Sequence, residues 1–403
     1  MVRPAALLDD PSANAAAMLR RLGFATLFFG IPLAALFTRR ALVVLAPVAV
    51  ILLVLAAALD GGARNVGEKL VAVVISTAGI AGMVLLLWTG LSLIWTPFMP
   101  HAAERLFNLV GMALMALAGY LAMPDRMRSA NLYILPVGVG LAALTGIAVA
   151  LRGPEGLDQD GQSLERGMIM LVLLLWPAVT WLHSRGRNLE ALLLAIIVAL
   201  GALLTTDPVS LQGLAVGAVI FAITAASPGF GARLTAWSMA GLLLLAPALP
   251  FIVKPLAVSL FGPASPTVAS LDAWALVILD EPLRLITGHG LETALRGRFL
   301  GLIPPTSPYS FLFEIWYELG LIGAAAGAVL LYSSVIGAGG HRPVLGPGIM
   351  AAFATAYALG CFGIGTAQLW WFSALIVVVL DFVAIERGQF RTKRPKAILR
   401  RAG

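Results

Sequence analysis

Charge is scarce in this 403-residue chain. Asp, Glu, Lys and Arg together make up 12% of it, and a soluble domain carries about twice that fraction. Cysteine is nearly absent. A lone Cys361 in an apolar run excludes an intramolecular disulfide and any Cys-built metal site, and it reads as a small buried packing residue. No stretch reads as a cleavable leader, because the first apolar run is followed at once by Arg39-Arg40 and a second apolar run. No internal repeat is visible. No apolar run carries a charge at its midpoint, where ion-coupled transporters keep an ionisable group.

What is present is hydrophobic: 60% of residues are apolar and mean hydropathy is +0.94. Apolar runs of about twenty residues recur from end to end, and each can cross a hydrocarbon core as a helix. The chain is therefore expected to be all-α and polytopic, with no room for a large soluble domain. About twelve spans are expected, near 22–38, 41–58, 70–93, 103–122, 129–150, 167–183, 189–204, 209–226, 234–254, 313–337, 346–362 and 364–384. The last two could be one span with a turn or kink at 360–365. A single integral membrane domain covers 1–403, with a basic cytoplasmic tail at 385–403.

The formal net charge of +7 is no nucleic-acid signal, because the basic residues sit in short loops and in the tail. Lys and Arg favour one side by roughly two to one if the N-terminus is inside. That places both termini in the cytoplasm of a bacterial inner membrane. The polar break at 255–312, between spans nine and ten, then lies outside as one long periplasmic segment. Arg39 and Arg40 go against this bias.

The 255–312 segment has internal order. Leu271, Trp274, Ala275 and Ile278 recur at helical spacing, with Ser270 a candidate cap and Pro282 a candidate stop. Thr287-Gly-His-Gly290 reads as a turn, and Pro304-Pro305 and Pro308 hold the chain extended before the next span. Glu314 and Glu318, four apart, share a face at the start of that span. Glu318 is the candidate to orient a sugar or to pair with an outer Arg. Gly320, Gly323 and Gly327 suit close helix packing. Trp95, Trp274, Trp316 and Tyr317 suit an interfacial aromatic belt. Asp158-Gln-Asp160 has no companion ligands and reads as a solvated loop, so no metal site is expected.

Three blocks resemble the bacterial O-antigen ligase and polymerase superfamily. The first is Leu91-Ser-Leu-Ile-Trp95 followed by Ala102-Ala-Glu-Arg105. The second opens on Glu165-Arg-Gly167. The third is the outer segment, with Leu271-Asp-Ala-Trp274, Glu281-Pro-Leu283, Gly288-His-Gly-Leu-Glu292 and Glu318-Leu-Gly-Leu-Ile-Gly323. The family's signature is a His, then Asn, Ser or Gln, then nine residues and Gly-x-x-Gly. Counting back from Gly320 puts Ser310 in its second position and Tyr309 where the family has His. Ser270 stands where a family Arg precedes Leu-x-x-Trp, while Arg166 keeps its family place.

The resemblance implies metal-independent and cofactor-independent glycosyl transfer. A glycan on a polyprenyl-pyrophosphate carrier would pass to a lipid or growing-polysaccharide hydroxyl in cell-envelope biosynthesis, among membrane lipids. A pyrophosphate leaving group needs cationic donors, for which Arg166 and Arg284 are the candidates. Tyr309 and Ser310 mark the acceptor side, and His289 is the candidate base. Two other readings stay open: a relative without catalysis that assists polysaccharide assembly, or a flippase of lipid-linked sugars.

Overall fold

A computed structural model describes residues 11–38, 40–61, 66–125, 127, 129–153, 162–339, 344–365 and 368–388. The Asp158–Asp160 pair and most of the tail lie outside these residues, as do Arg39 and Arg342. Among the described residues all regular structure is helical. The helices are α1 Pro11–Ala34, α2 Ala41–Leu59, α3 Val66–Val74, α4 Thr77–Leu91, α5 Met99–Ala122 and α6 Ile134–Arg152. They continue with α7 Gln162–Ser184, α8 Asn188–Leu203, α9 Val209–Ala226, α10 Pro228–Leu244, α11 Leu249–Phe261 and α12 Pro266–Asp280. The last are α13 Arg284–Thr287, α14 Thr293–Phe299, α15 Phe311–Gly339, α16 Gly346–Phe362 and α17 Leu369–Arg387.

Among these, nine helices are long and apolar enough to cross a membrane. The pair α10 and Ala246–Phe261, bent by 63° at the break between them, raises the number to ten if it counts as one span. Helices α8 and α16 are apolar but shorter. Nine to ten spans thus meet the length and composition of a crossing among the described residues, and the two other expected spans, 189–204 and 346–362, coincide with the shorter helices α8 and α16. The expected single span at 234–254 is a bent pair, and Pro247 and Pro250 account for the break by removing backbone donors just after it, while Pro255 lies inside α11. The expected span at 70–93 is also divided, at Ser76, whose hydroxyl accepts from Gly79 N and restarts the helix as α4.

Helix α7 forms the centre. Its apolar stretch is 89% buried, and Met168 through Trp181 are covered on all sides. A helix apolar all round belongs inside a bundle. Trp176 Nε1 donates to Thr355 Oγ1 at 2.8 Å, tying α7 to α16. Tyr357 of α16 donates from its hydroxyl to Met239 O of α10 at 2.7 Å. These two side-chain hydrogen bonds satisfy polar groups that an apolar medium would otherwise penalise.

The periphery has the opposite character. Phe107, Leu114, Leu87 and Ile94 expose most of their side chains. Large apolar surfaces on long helices fit a lipid solvent rather than water. The chain has the make-up of a multi-pass membrane protein.

Between α11 and α15 the chain runs through short helices that pack on α15 and on the α4–α5 connection. Helix α11 continues to Phe261, past the expected start of the polar segment at 255. Ser265, not Ser270, caps α12 by accepting from Val268 N. The helix ends at Asp280, two residues before Pro282, as expected.

Candidate functional site

The loop from Gly288 to Glu292 is fastened on two sides. On one side it meets a break in α15. Gly320 there has φ +62°, so the helical ladder fails and the preceding carbonyls lose their usual donors. Those carbonyls are filled from outside. Tyr317 O accepts from His289 N at 2.8 Å and Glu318 O from Gly290 N at 2.9 Å. Leu319 O accepts from Trp88 Nε1 at 2.8 Å. The approach is close enough that only glycine fits. A Cβ on Gly288 would sit 2.3 Å from Glu318 O, and one on Gly320 would sit 2.6 Å from Gly288 N. Gly320 therefore opens the helix, which goes beyond the packing role its sequence context suggests.

On the other side the loop meets the α4–α5 connection. Thr96 Oγ1 donates to Leu291 O at 2.8 Å, and Leu291 N donates to Ser92 Oγ at 3.2 Å. Both hydroxyls are buried. Glu292, the next residue, holds the left-handed conformation at φ 73° while almost fully buried. Such a conformation is costly for Glu and persists only when its surroundings fix it.

What fixes it is Arg105. Its Nη1 lies 3.1 Å from Glu292 Oε2 and 3.0 Å from Glu318 Oε1. Glu318 Oε1 also accepts from Ala294 N at 3.3 Å. All three charged side chains are mostly buried. Three sequence blocks, at 91–105, 288–292 and 318–323, thus converge on one guanidinium.

Arg105 belongs to a longer polar stripe. His101, Glu104, Arg105 and Asn108 follow the spacing i, i+3, i+4, i+7 and so share one face of α5. With Glu292, Leu295 and Arg296 from the loop and α14, and Leu369 and Phe372 from α17, they line a recess of about 240 Å³. Arg296 Nε stands 3.6 Å from Glu292 Oε1. Among the described residues, the side chains of His101, Glu104 and Asn108 have no hydrogen-bond or ion-pair partner; His101 and Glu104 are exposed and Asn108 is half-buried. The residues at 101–108 carried a readable signal, a polar i, i+3, i+4, i+7 pattern opening an apolar helix, which the block Ala102–Arg105 only partly captured.

The sequence-predicted residues lie elsewhere around this centre. His289 is stacked on Tyr317, with ring centroids 4.0 Å apart. Its Nδ1 is 3.0 Å from Tyr317 O, which makes Nδ1 the donor, and its Nε2 is 3.3 Å from Glu281. Burial lowers the His289 pKa, outweighing the opposing effects of the Tyr317 carbonyl and Glu281. Arg284 stands half exposed, 3.6 Å from Glu281. These groups border a cleft of only about 20 Å³. Glu318 is the one predicted residue that reaches the Arg105 cluster, and its outer Arg partner is Arg105 itself.

Ser310 is buried, and its Oγ accepts from Leu312 N, so it caps α15. Tyr309 is 53% exposed and lies over the Arg298 guanidinium, 4.0 Å from it. Arg298 is buried and donates from Nη2 to Pro308 O, while its Nε and Nη1 have no partner. Burial lowers its pKa. Arg166 opens α7 with its guanidinium over Trp370, 5.5 Å from the ring centre. Trp274 and Trp316 are buried rather than interfacial, and Trp316 Nε1 donates to Leu243 O. Among the described residues no His, Cys, Asp and Glu cluster could hold a metal ion.

The architecture and its buried polar centre define a polytopic helical membrane protein with a candidate site at the α5–α14–α17 recess. No family model matches the chain. It is similar to proteins named "Putative polysaccharide ligase" in Rickettsia. The one from Rickettsia conorii is 26% identical over 234 residues, covering 54% of this chain and 56% of that protein. Those from Rickettsia prowazekii and Rickettsia felis are each 25% identical over 237 and 235 residues, again 54% of this chain and 57% of theirs. The chain thus spans about half the length of the curated relatives it matches. Together with the helical fold, this likeness supports a polysaccharide-related membrane protein.

Proposed function

We propose that the protein is a glycosyltransferase of the O-antigen ligase and polymerase type. It works at the outer face of a bacterial inner membrane, with twelve crossings, both termini cytoplasmic and 255–312 in the periplasm. It passes a glycan from a polyprenyl-pyrophosphate carrier to a lipid or polysaccharide hydroxyl without a metal or cofactor. The observation that carries this reading is the meeting of the resembling blocks at Arg105, which ties separate family landmarks into one buried centre. The distant Rickettsia relatives support it from the side of sequence.

In the transfer, the acceptor oxygen bonds to the anomeric carbon as the carbon–oxygen bond to the pyrophosphate breaks. The pyrophosphate leaves with that electron pair, and the hydroxyl proton passes to a base. Arg166 and Arg284 hold the developing charge, His289 takes the proton, and Tyr309 and Ser310 line the acceptor side. Glu318 orients the site through Arg105. Proteoliposomes given a labelled lipid-linked glycan and an acceptor lipid should form labelled product. Activity unchanged in Arg166→Ala would remove that residue from the scheme, and no transfer with any acceptor would remove the scheme.

One observation favours a second reading, a flippase of lipid-linked sugars. Asp381 is fully buried inside α17, and neither carboxylate oxygen has a hydrogen-bond partner. An ionisable group enclosed within a span is a candidate functional group, and Asp381 stands toward the end of the expected span 364–384, away from its midpoint. Translocation of a labelled lipid-linked sugar that stops in Asp381→Asn, without any transfer product, would decide for the flippase.

A further inference from the structure

The recess between α5, α14 and α17 is unassigned by any of the residues given roles above except Glu318, which lies behind it. Its polar wall is electrically balanced: Arg105 and Arg296 face Glu104 and Glu292, with His101 and Asn108 between them. A phosphate placed there would have to sit beside two carboxylates. A sugar would not, because its hydroxyls both donate and accept. Glu104 and His101 supply unused acceptors, and Asn108 and Arg296 supply donors. The opposite wall, Leu109, Leu295, Leu369 and Phe372, is apolar. At about 240 Å³ the recess is smaller than the range of roughly 300–1,000 Å³ typical of drug-sized sites. It suits one sugar ring and the start of an alkyl chain rather than a polymer.

We propose that this recess binds the neutral, hydroxyl-rich head of a glycolipid, with the sugar on the α5 stripe and the alkyl chain against Leu369 and Phe372. In the transfer reaction it is the acceptor site, separate from the Tyr309–Ser310 edge. The acceptor role rests on the transfer reading above; the sugar-binding chemistry does not. His101, Glu104 and Asn108 line the recess with His101 and Glu104 exposed and Asn108 half-buried, and their side chains, without partners among the described residues, are open to a ligand that enters it. Arg105 is not a sugar ligand in this scheme. Its charge is committed to Glu292 and Glu318, and it sets the floor of the recess.

The test uses the full chain in lipid nanodiscs and three photoreactive probes of equal chain length: an alkyl glucoside, an alkyl phosphate and a plain alkane. Labelled sites are mapped by mass spectrometry. The glucoside should label Met99–Ala122 and the Leu369–Phe372 turn, and the phosphate should label them no more than the alkane does. Asn108→Leu with Glu104→Gln should reduce glucoside labelling by about tenfold or more, the cost of one or two lost hydrogen bonds. Leu109→Trp, which fills the recess and spares the polar groups, should do the same. Phosphate labelling equal to that of the glucoside would overturn the proposal, as would glucoside labelling that survives both changes. Transfer measured in the same preparations separates the two readings. Absent recess labelling with intact transfer overturns only the recess. Recess labelling with no transfer overturns only the acceptor role and the transferase.

Discussion

The two faces of the Gly288–Glu292 loop show how differently one short segment can use polar residues. On the His289 face the imidazole is engaged on all sides: the ring is stacked on Tyr317, Nδ1 meets the Tyr317 carbonyl and Nε2 faces Glu281, around a cleft of only about 20 Å³. On the Glu292 face a buried ion triad carries an open recess of about 240 Å³, and three polar side chains of α5 wait without partners. The first face holds the loop to α15. The second leaves hydrogen-bonding capacity for a ligand. A His in a signature-like turn and a His on a membrane helix are thus told apart by what already satisfies them, not by sequence context.

Removing Arg105 should break this contrast most severely. Arg105→Ala leaves Glu318 buried without a cationic partner and Glu292 with Arg296 alone, which costs about 3–5 kcal/mol. The expected result is a large drop in yield of monodisperse protein and in its thermal midpoint in detergent, partly recovered by adding Glu318→Gln. A variant as stable as the native chain would show that the ion triad does not hold the loop.

Gly320→Ala should come next. Its Cβ would press on the Gly288 amide and the Ile286 carbonyl at a backbone angle that disfavours any side chain. Strain of about 1–3 kcal/mol is expected. Hydrogen exchange at the His289 and Gly290 amides should speed up, while Trp176 and its neighbours in α7 keep their protection. Equal protection at 289 and 290 in both proteins would mean the docking does not depend on the helix break.

Thr96→Val removes one buried hydrogen bond to Leu291 O and keeps the shape, for about 1 kcal/mol. It should loosen the Glu292 face alone, so that exchange rises at Leu291 and not at His289. A matching rise at both would make the loop a single unit rather than two faces.

The smallest effect is the pH response of His289. Burial lowers its folded-state pKa, so the unfolded chain binds the proton more readily. That contribution to stability is whole above the unfolded value of about 6.5 and is lost as pH falls from there through the folded pKa. Between about pH 7.5 and about pH 5.5 the native chain should lose more thermal stability than His289→Gln. An equal loss in both would assign the acid response to other groups.

Much of the fold was legible from hydrophobic runs, because a lipid solvent writes itself into composition. The breaks were less so. Ser76, the bent α10–α11 pair and the opening at Gly320 all sit inside apolar stretches where hydropathy stays high. The third block of the resemblance pointed to the right loop. It did not show that Glu292 and Glu318 share Arg105, since these residues are 187 and 213 positions away from it in the chain. His101 and Asn108 could have been noticed as a stripe with Glu104 and Arg105, but a stripe does not tell what stands opposite. Asp381 reads as the polar end of a span, and only the packing of α17 shows that it is enclosed.

By itself, the sequence determined that this protein is a bundle of apolar helices with a polar segment at 255–312. Local preferences settle those features, because burial of each helix depends on its own residues and the surrounding lipid. The tertiary structure alone decided which charges meet, which polar groups remain unspent and where the recess opens. Pairing energy depends on distances of a few ångströms between helices, and no periodicity within one helix encodes the distance to another.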